Sequence, residues 1–335
     1  MKQNAASPVP VYRAVEQIPA DFGPTVTAIG NFDGVHLGHQ EILRSVVEQA
    51  RALSTPAQPV RSVAITFDPH PERFLRPATA PGLLTLMPER VRLLSATGVD
   101  AIVVLPFDAA LAGLTPGDFV ERILVGKLGV RALHEGRNFH FGHGAAAGIS
   151  ELREFGDRFG FSVNVHPAVR VSGLEVSSSA VRALVGAGDM RRARWMLGRP
   201  FAVRSTPARG RGVGTRLLVP TVNLAPYDGL LPAFGVYVTR LTVGAGTANS
   251  RTFQAVTNVG NRPTFEGAGF SVETHILNFE PVDLNDDTPI ELEFLLRLRG
   301  EKTWPSPEAL KEQIFKDVAR ARRFFHLCDR LAKGR

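Results

Sequence analysis

The sequence predicts an α/β domain on a parallel, doubly wound sheet, followed by a small antiparallel β-barrel closed by a long C-terminal helix. Three observations carry that expectation. Through roughly the first 200 residues, apolar runs of strand length alternate with runs of 3.6-residue periodicity, the pattern of a parallel sheet covered by helices. Beyond that point the period drops to two, with glycine, proline and asparagine between short runs, as in a small barrel. One long amphipathic run then occupies residues 306–331.

The first strand is read in "TVTAIGNF" (25–32). The helix "GHQEILRSVVEQARAL" follows, with Ile42, Leu43, Val46, Val47, Ala50 and Leu53 on one stripe. "VRSVAITFDP" is a β-branched strand stopped by Pro69, and "PERVRLLSATG" a helix with proline at its start and Gly98 at its end. "VDAIVVLPF" gives a strand, "TPGDFVERILVGKLG" a helix and "VRALHEG" (130–136) a further strand. The barrel strands are expected in "FGVYVTRLTV", "RTFQAVTNVG", "FSVETHILNF" and "IELEFLLRLRG". In the last helix Leu310, Ile314, Val318, Ala321, Phe325 and Cys328 are spaced to cover one face, behind a Ser306 cap and Pro307. The domain boundary is expected after "WMLGRP", dividing the chain into 1–198 and 199–335.

With 335 residues, 44% of them hydrophobic, the chain has enough material for two ordinary domains. A single cysteine, Cys328, excludes an internal disulfide and points to a reducing compartment. The first residues hold no apolar signal segment, and no run approaches the length of a bilayer span, so a cytoplasmic protein without a membrane partner is expected. The net charge of +7 admits nucleic acid or small phosphorylated ligands. The basic residues are scattered, and three tyrosines and two tryptophans offer no clear stacking platform. A nucleic-acid partner is therefore not expected.

Chemistry concentrates in "GNFDGVHLGH" (30–39), placed where the first strand ends and the first helix begins. That edge of an α/β sheet binds ligands, and a helix start presents free N–H groups to anions. Gly34 and Gly38 let the backbone approach a phosphate, while His36 and His39 offer donors to oxygens that gain charge as a phosphoanhydride breaks. The lysine of a P-loop is missing. Further on, "EVSSSAVRALVGAGD" (175–189) supplies Ser177, Ser178, Ser179 and Arg182, a set suited to the outer phosphates of a nucleotide.

An HxGH followed at a distance by a serine-rich segment and arginine resembles the nucleotidyltransferases. Together with "TFDPHP" (66–71) and "GRNFHFGHGAAAG" (136–148), it resembles the FMN adenylyltransferase module of prokaryotic bifunctional riboflavin kinase/FAD synthetases. The resemblance implies a Rossmann-like nucleotidyltransferase fold in which the FMN phosphate attacks the α-phosphate of ATP, with magnesium between the phosphates and FAD and pyrophosphate as products. Gly30, Asn31, Phe32, Asp33, Gly34 and Gly38 would then frame the ATP phosphates. His36 and His39 would hold the α-phosphate region, and Ser178, Ser179 and Arg182 the leaving phosphates. His70, Pro71 and Asn138 would line the flavin and ribose region.

In the second half, "GRGVGTRLLVPTVNL" (210–224) offers Gly210, Gly212 and Gly214 as a loop able to wrap phosphates. Thr221 and Asn223 put two hard oxygens on one side of an extended segment, a pair suited to magnesium. Glu273 is a carboxylate that could serve as general base to a primary alcohol, or simply a solvent-facing strand residue. "PTVNL", "LLPAFGVYV", "VTNVGNRPTF", "VETHILNF" and the last helix occur in the order of the riboflavin kinase module. That resemblance implies that Thr221 and Asn223 bind Mg-ATP, that Gly210 and Gly214 wrap its phosphates, and that Glu273 takes the proton of the riboflavin 5′-hydroxyl. The chain departs from the family pattern at Leu218, where glycine is usual, and at Val222 and Asn278, where alanine and aspartate are usual. These departures bear on kinase efficiency rather than on the fold; with Thr221, Asn223 and Glu273 all present, an active kinase is expected. Two other readings stand beside this one: an FAD synthetase whose kinase module has become regulatory, and an RNA-binding or tRNA-charging protein, since HxGH also occurs there.

Overall fold

The computed structural model describes residues 8–208, 221–264, 267–278 and 284–333. Gly210, Gly214 and Leu218 fall outside them. Contacts divide the chain into two units, Met1–Ser178 and Ser179–Arg335.

The first unit is built on six strands: β1 (Val11–Tyr12), β2 (Thr25–Ile29), β3 (Arg61–Asp68), β4 (Ala101–Pro106), β5 (Val130–Gly136) and β6 (Ser162–His166). All pair in parallel, in the order β1-β4-β3-β2-β5-β6. Every residue of β2 is buried, as expected of a central strand covered on both faces. On one face Val26 and Ala28 pack with Leu43, Val46, Val47 and Ala50 of helix α1 (Leu37–Leu53). The predicted stripe therefore holds, except that Leu53 at the helix end is 45% exposed. On the other face Ile29, Ile65 and Leu133 pack with Phe119, Val120, Ile123 and Leu124, and with Leu152 of a helix at Ile149–Phe159.

The segment read as one helix over 115–129 is a short α turn, Pro116–Asp118, that continues as a π-helix, Phe119–Val125. Apolar spacing reports which face is buried, not whether a backbone N–H bonds four or five residues back.

In the second unit, helices α2 (Ser178–Ala187) and α3 (Met190–Leu197) precede the sheet; α2 opens on the last residue of the first unit. Its seven strands follow as β7 (Phe201–Ser205), β8 (Pro207–Ala208), β9 (Thr221–Leu224), β10 (Gly235–Val243), β11 (Arg251–Thr264), β12 (Gly267–Ile276) and β13 (Ile290–Gly300). They form one curled antiparallel sheet, a half-barrel, in the order β8-β9-β12-β11-β10-β13-β7. Its inner face is apolar apart from a ladder of buried hydroxyls: Thr257 lies 2.8 Å from Thr239 and 2.9 Å from Thr274, so each hydroxyl is satisfied within the core.

The last helix (Pro307–Lys333) covers the outer face, where Ala321 and Phe325 meet Val236, Val238, Val256 and Leu298. The predicted stripe is too long. Leu310 and Ile314 are more than a third exposed and Cys328 is exposed. A buried aspartate one position off the stripe anchors the helix instead. Asp317 accepts from Arg299 Nε and from Gln313 Nε2, both at 2.9 Å.

Candidate active sites

In the first unit the strand order reverses at β2: β3 and β4 lie to one side, β5 and β6 to the other. The crevice beyond the carboxyl ends at such a reversal is where doubly wound sheets bind ligands. A cleft opens there, lined by the ends of β2 and β5, the start of α1, and residues from the chain after β6 up to Ser177.

The two histidines enter it as a built pair. His36 caps α1, its Nδ1 accepting from the His39 N–H at 3.3 Å. That acceptor role puts the proton of the neutral ring on Nε2. The two rings stack with centroids 3.6 Å apart, and Phe32 meets His39 edge-on at 5.1 Å. A Cβ on Gly38 would come within 3.2 Å of the His36 ring, so glycine is what allows the stack.

The loop before them is held under strain. Phe32 and Val35 have φ of 45° and 38°, a region that disfavours both side chains. Burial of both in the core offsets that strain, as does a polar knot around Asp33. The Asp33 carboxylate accepts from Leu84 N–H at 3.0 Å, Thr85 N–H at 2.9 Å and the Thr85 hydroxyl at 3.1 Å, with Arg90 Nη2 at 3.7 Å. Thr66 and Ser178 hydroxyls donate to the Asn31 and Asp33 carbonyls, and Gly34 N–H to Thr85 Oγ1. The resemblance groups Asp33 with the phosphate-facing residues. Its side chain is fully buried and outside the cleft lining, tied instead to the backbone at Leu84 and Thr85.

Gly30, Phe32, His36, Gly38, His39 and Asn138 line the cleft, and Ser177 does so beside Ser178. His70 caps a short helix that starts at Pro71, its Nδ1 accepting from Glu72 N–H; neither residue is part of the cleft lining. Ser179, exposed, and Arg182, half-buried, stand three residues apart on α2 in the second unit.

Two features escaped the sequence reading. Glu135, one residue from the end of β5, lines the cleft while only 3% exposed, and its Oε1 accepts from the Ile29 N–H at 2.8 Å. Burial pushes its carboxyl well above the usual range, partly countered by that hydrogen bond. Beside it runs a histidine chain. His166 Nε2 lies 2.9 Å from His134 Nδ1, and His134 Nε2 meets Gln49 Oε1, which also accepts from Asn164. Burial, then the neighbouring ring, lowers His134 to about 4. Burial lowers His166 as well, with Glu41 acting the other way. Both are thus neutral at physiological pH. The signal was present as a His-Glu pair following the apolar Ala132 and Leu133 near the end of the strand.

The second unit's site is an open row. Antiparallel register sets Asn223 of β9 opposite Glu273 of β12, and Glu273 opposite Asn258 of β11. Thr221, two residues before Asn223, shares its face. Val222 between them is buried on the other face, so its extra methyls do not enter the row. Glu273 is exposed, with the Ser271 hydroxyl donating to its Oε1 at 3.0 Å. Asn258 was not singled out from sequence; only strand pairing brings it there.

A parallel sheet with a histidine pair at its switch point, joined to a half-barrel bearing an amide–carboxylate row, defines a two-module nucleotide-dependent transferase. The comparisons agree. Residues 18–180 match the family model for FAD synthetase, and residues 197–325 that for riboflavin kinase. The bifunctional riboflavin kinase/FMN adenylyltransferase of Pseudomonas fluorescens is 36% identical over 311 residues, 92% of this chain and 96% of that protein. The Escherichia coli K12 protein of the same name is 32% identical, over 90% of this chain and 93% of its own. A crystal structure described as a macrolide-efflux protein from Streptococcus pneumoniae superposes with a TM-score of 0.80 at 26% identity, over 93% of this chain and 98% of that one. Among the described residues no helix is long and apolar enough to cross a membrane. The chain belongs to the bifunctional riboflavin kinase/FMN adenylyltransferase family.

Proposed function

We propose that the two modules act in sequence, 199–335 phosphorylating riboflavin to FMN with ATP and 1–198 joining FMN to a second ATP to give FAD and pyrophosphate. The family matches, one ending at 180 and the other beginning at 197, support this division. The observation that carries the reading is the stacked His36–His39 pair capping α1 at the sheet's reversal point.

In the first module an FMN phosphate oxygen attacks the α-phosphorus of ATP, and the bond to the β-phosphate oxygen breaks. No covalent enzyme intermediate is needed, so catalysis is positioning plus stabilisation of charge. His36 Nε2–H and the His39 ring serve the α-phosphate oxygens. Ser178, Ser179 and Arg182 take the leaving pyrophosphate, while His70, Pro71 and Asn138 hold the flavin and ribose.

In the second module Glu273 takes the proton of the riboflavin 5′-hydroxyl as its oxygen attacks the γ-phosphorus, and ADP leaves. Asn258, opposite Glu273, orients that hydroxyl. Thr221 Oγ1 and Asn223 Oδ1 form a hard-oxygen pair on one strand face, a donor set that fits magnesium. Magnesium bound there would neutralise phosphate charge. Val222 packs away from this row and Asn278 lies exposed in the turn after β12, so neither departure touches the row.

The test is an end-point assay with purified protein, Mg-ATP and riboflavin, with the flavins separated by chromatography. FAD is expected to accumulate through FMN. Conversion of added FMN with riboflavin untouched would remove the kinase half of the reading, and failure to convert FMN would remove the other half.

A further inference from the structure

The adenylyl-transfer reading gives Glu135, in the lining of the first cleft, no task. Glu135 is a carboxyl whose burial raises its pKa well above the usual range and so favours the protonated form. Among the described residues it makes no ion pair. Around it the cleft is apolar, with Ile29, Ile42, Pro167, Ala168, Val169 and Val176 in its walls. The polar part of the same lining is the histidine pair, Ser177, Arg137, Asn138, His166 and Glu175.

A neutral carboxyl in an apolar slot is one donor beside one acceptor. The acceptor side is fixed, because Oε1 already takes the Ile29 N–H and keeps a second lone pair. That leaves the acid proton on Oε2. A flat heteroaromatic ring with an acceptor nitrogen next to an amine matches both halves of the carboxyl and the apolar walls, and adenine is such a ring.

Building on the adenylyltransferase reading above, we propose that Glu135 reads the base of ATP, donating its acid proton to a ring nitrogen of adenine and accepting from the exocyclic amine. Glu135 is thus a specificity-determining residue that sets which nucleotide enters, while His36 and His39 act on the reacting phosphate.

The test uses the full chain, saturating FMN, and two nucleotides: ATP, and purine riboside 5′-triphosphate, which lacks the amine. The unaltered protein should use the analogue about tenfold less efficiently, the usual loss for one uncharged hydrogen bond. Glu135→Val should raise KM for ATP about tenfold with kcat within about twofold and bring the two nucleotides level. Glu135→Gln, whose amide keeps both a donor and an acceptor, should retain the preference, with KM within about threefold. Equal use of both nucleotides by the unaltered protein overturns the proposal whatever the variants do. So does a Glu135→Val protein that keeps both KM and preference; FAD synthesis then stands without a base-reading role for Glu135. If the unaltered protein makes no FAD from either nucleotide, the adenylyltransferase reading fails first and takes this one with it.

Discussion

The two sites are assembled in opposite ways. In the first unit the paired histidines stand on a strained loop whose polar atoms are tied into the core, with a buried aspartate, arginine and threonine behind it. In the half-barrel the row Asn223–Glu273–Asn258 lies on an open sheet face and owes its alignment to strand register alone. A site held by buried polar groups is coupled to folding, because removing any member leaves others desolvated and unpaired. A site set by register is nearly independent of folding, because its side chains project from strands that would pair in any case.

That contrast can be broken at several points. The largest effect is expected from Glu273→Gln, which should lower riboflavin phosphorylation about a thousandfold, the range of a lost general base. FAD synthesis from supplied FMN and the urea midpoint should stay as they were; loss of all three would show that the row is not independent of the fold. Asp33→Ala should do the reverse. By stranding Thr85, Leu84 N–H and Arg90 it should destabilise the first unit by about 3 kcal/mol in urea unfolding. A change under about 1 kcal/mol would mean that the loop is held by its apolar residues alone. His39→Ala should reduce FAD formation about a hundredfold, leave FMN formation intact and barely move stability. Unchanged FAD synthesis would take the histidine pair out of the chemistry.

The smallest effect is in pH dependence. The folded protein holds His134 at about 4, so the unfolded chain takes up that proton first, and stability falls as pH drops from about 6.5 towards 4. The loss should be about 2 kcal/mol, less than the whole shift implies because the cleft admits water to the pair. His134→Gln should flatten the slope in a melting-temperature series over that range, and an unchanged slope would place the titrating group elsewhere. Glu135 acts with the opposite sign. Its raised pKa gives stability below about 4.5 that is lost as pH rises, so Glu135→Gln should stabilise the unit at pH 7.

The legible parts of both sites were those written contiguously. HxGH spans four residues, and its glycine spacing already encodes the ring stack. His134 and His166 lie 32 residues apart, and they meet because β5 and β6 run in parallel with Gly136 beside His166. Asn258 reaches Glu273 the same way, across an antiparallel pair. Periodicity also could not show that Asp33 turns inward, since loop residues follow no period. In the last helix it overestimated burial, because apolar spacing says which side could face a partner and not how far that partner extends.

The strand order of the half-barrel has one more consequence. β7 and β8 are separated in the chain by Thr206 alone, yet they stand at opposite ends of the sheet order. One linking residue can join two edge strands only if the sheet curls until its margins come together; the Thr206 carbonyl, accepting from Ala225 N–H at 2.9 Å, extends the β8–β9 ladder to that junction. A margin folded back on its own beginning presents little unpaired backbone as a template for another molecule's strand. The same curl thereby works against self-association, and opening the seam by inserting residues at Thr206 should show as aggregation before it shows as lost activity.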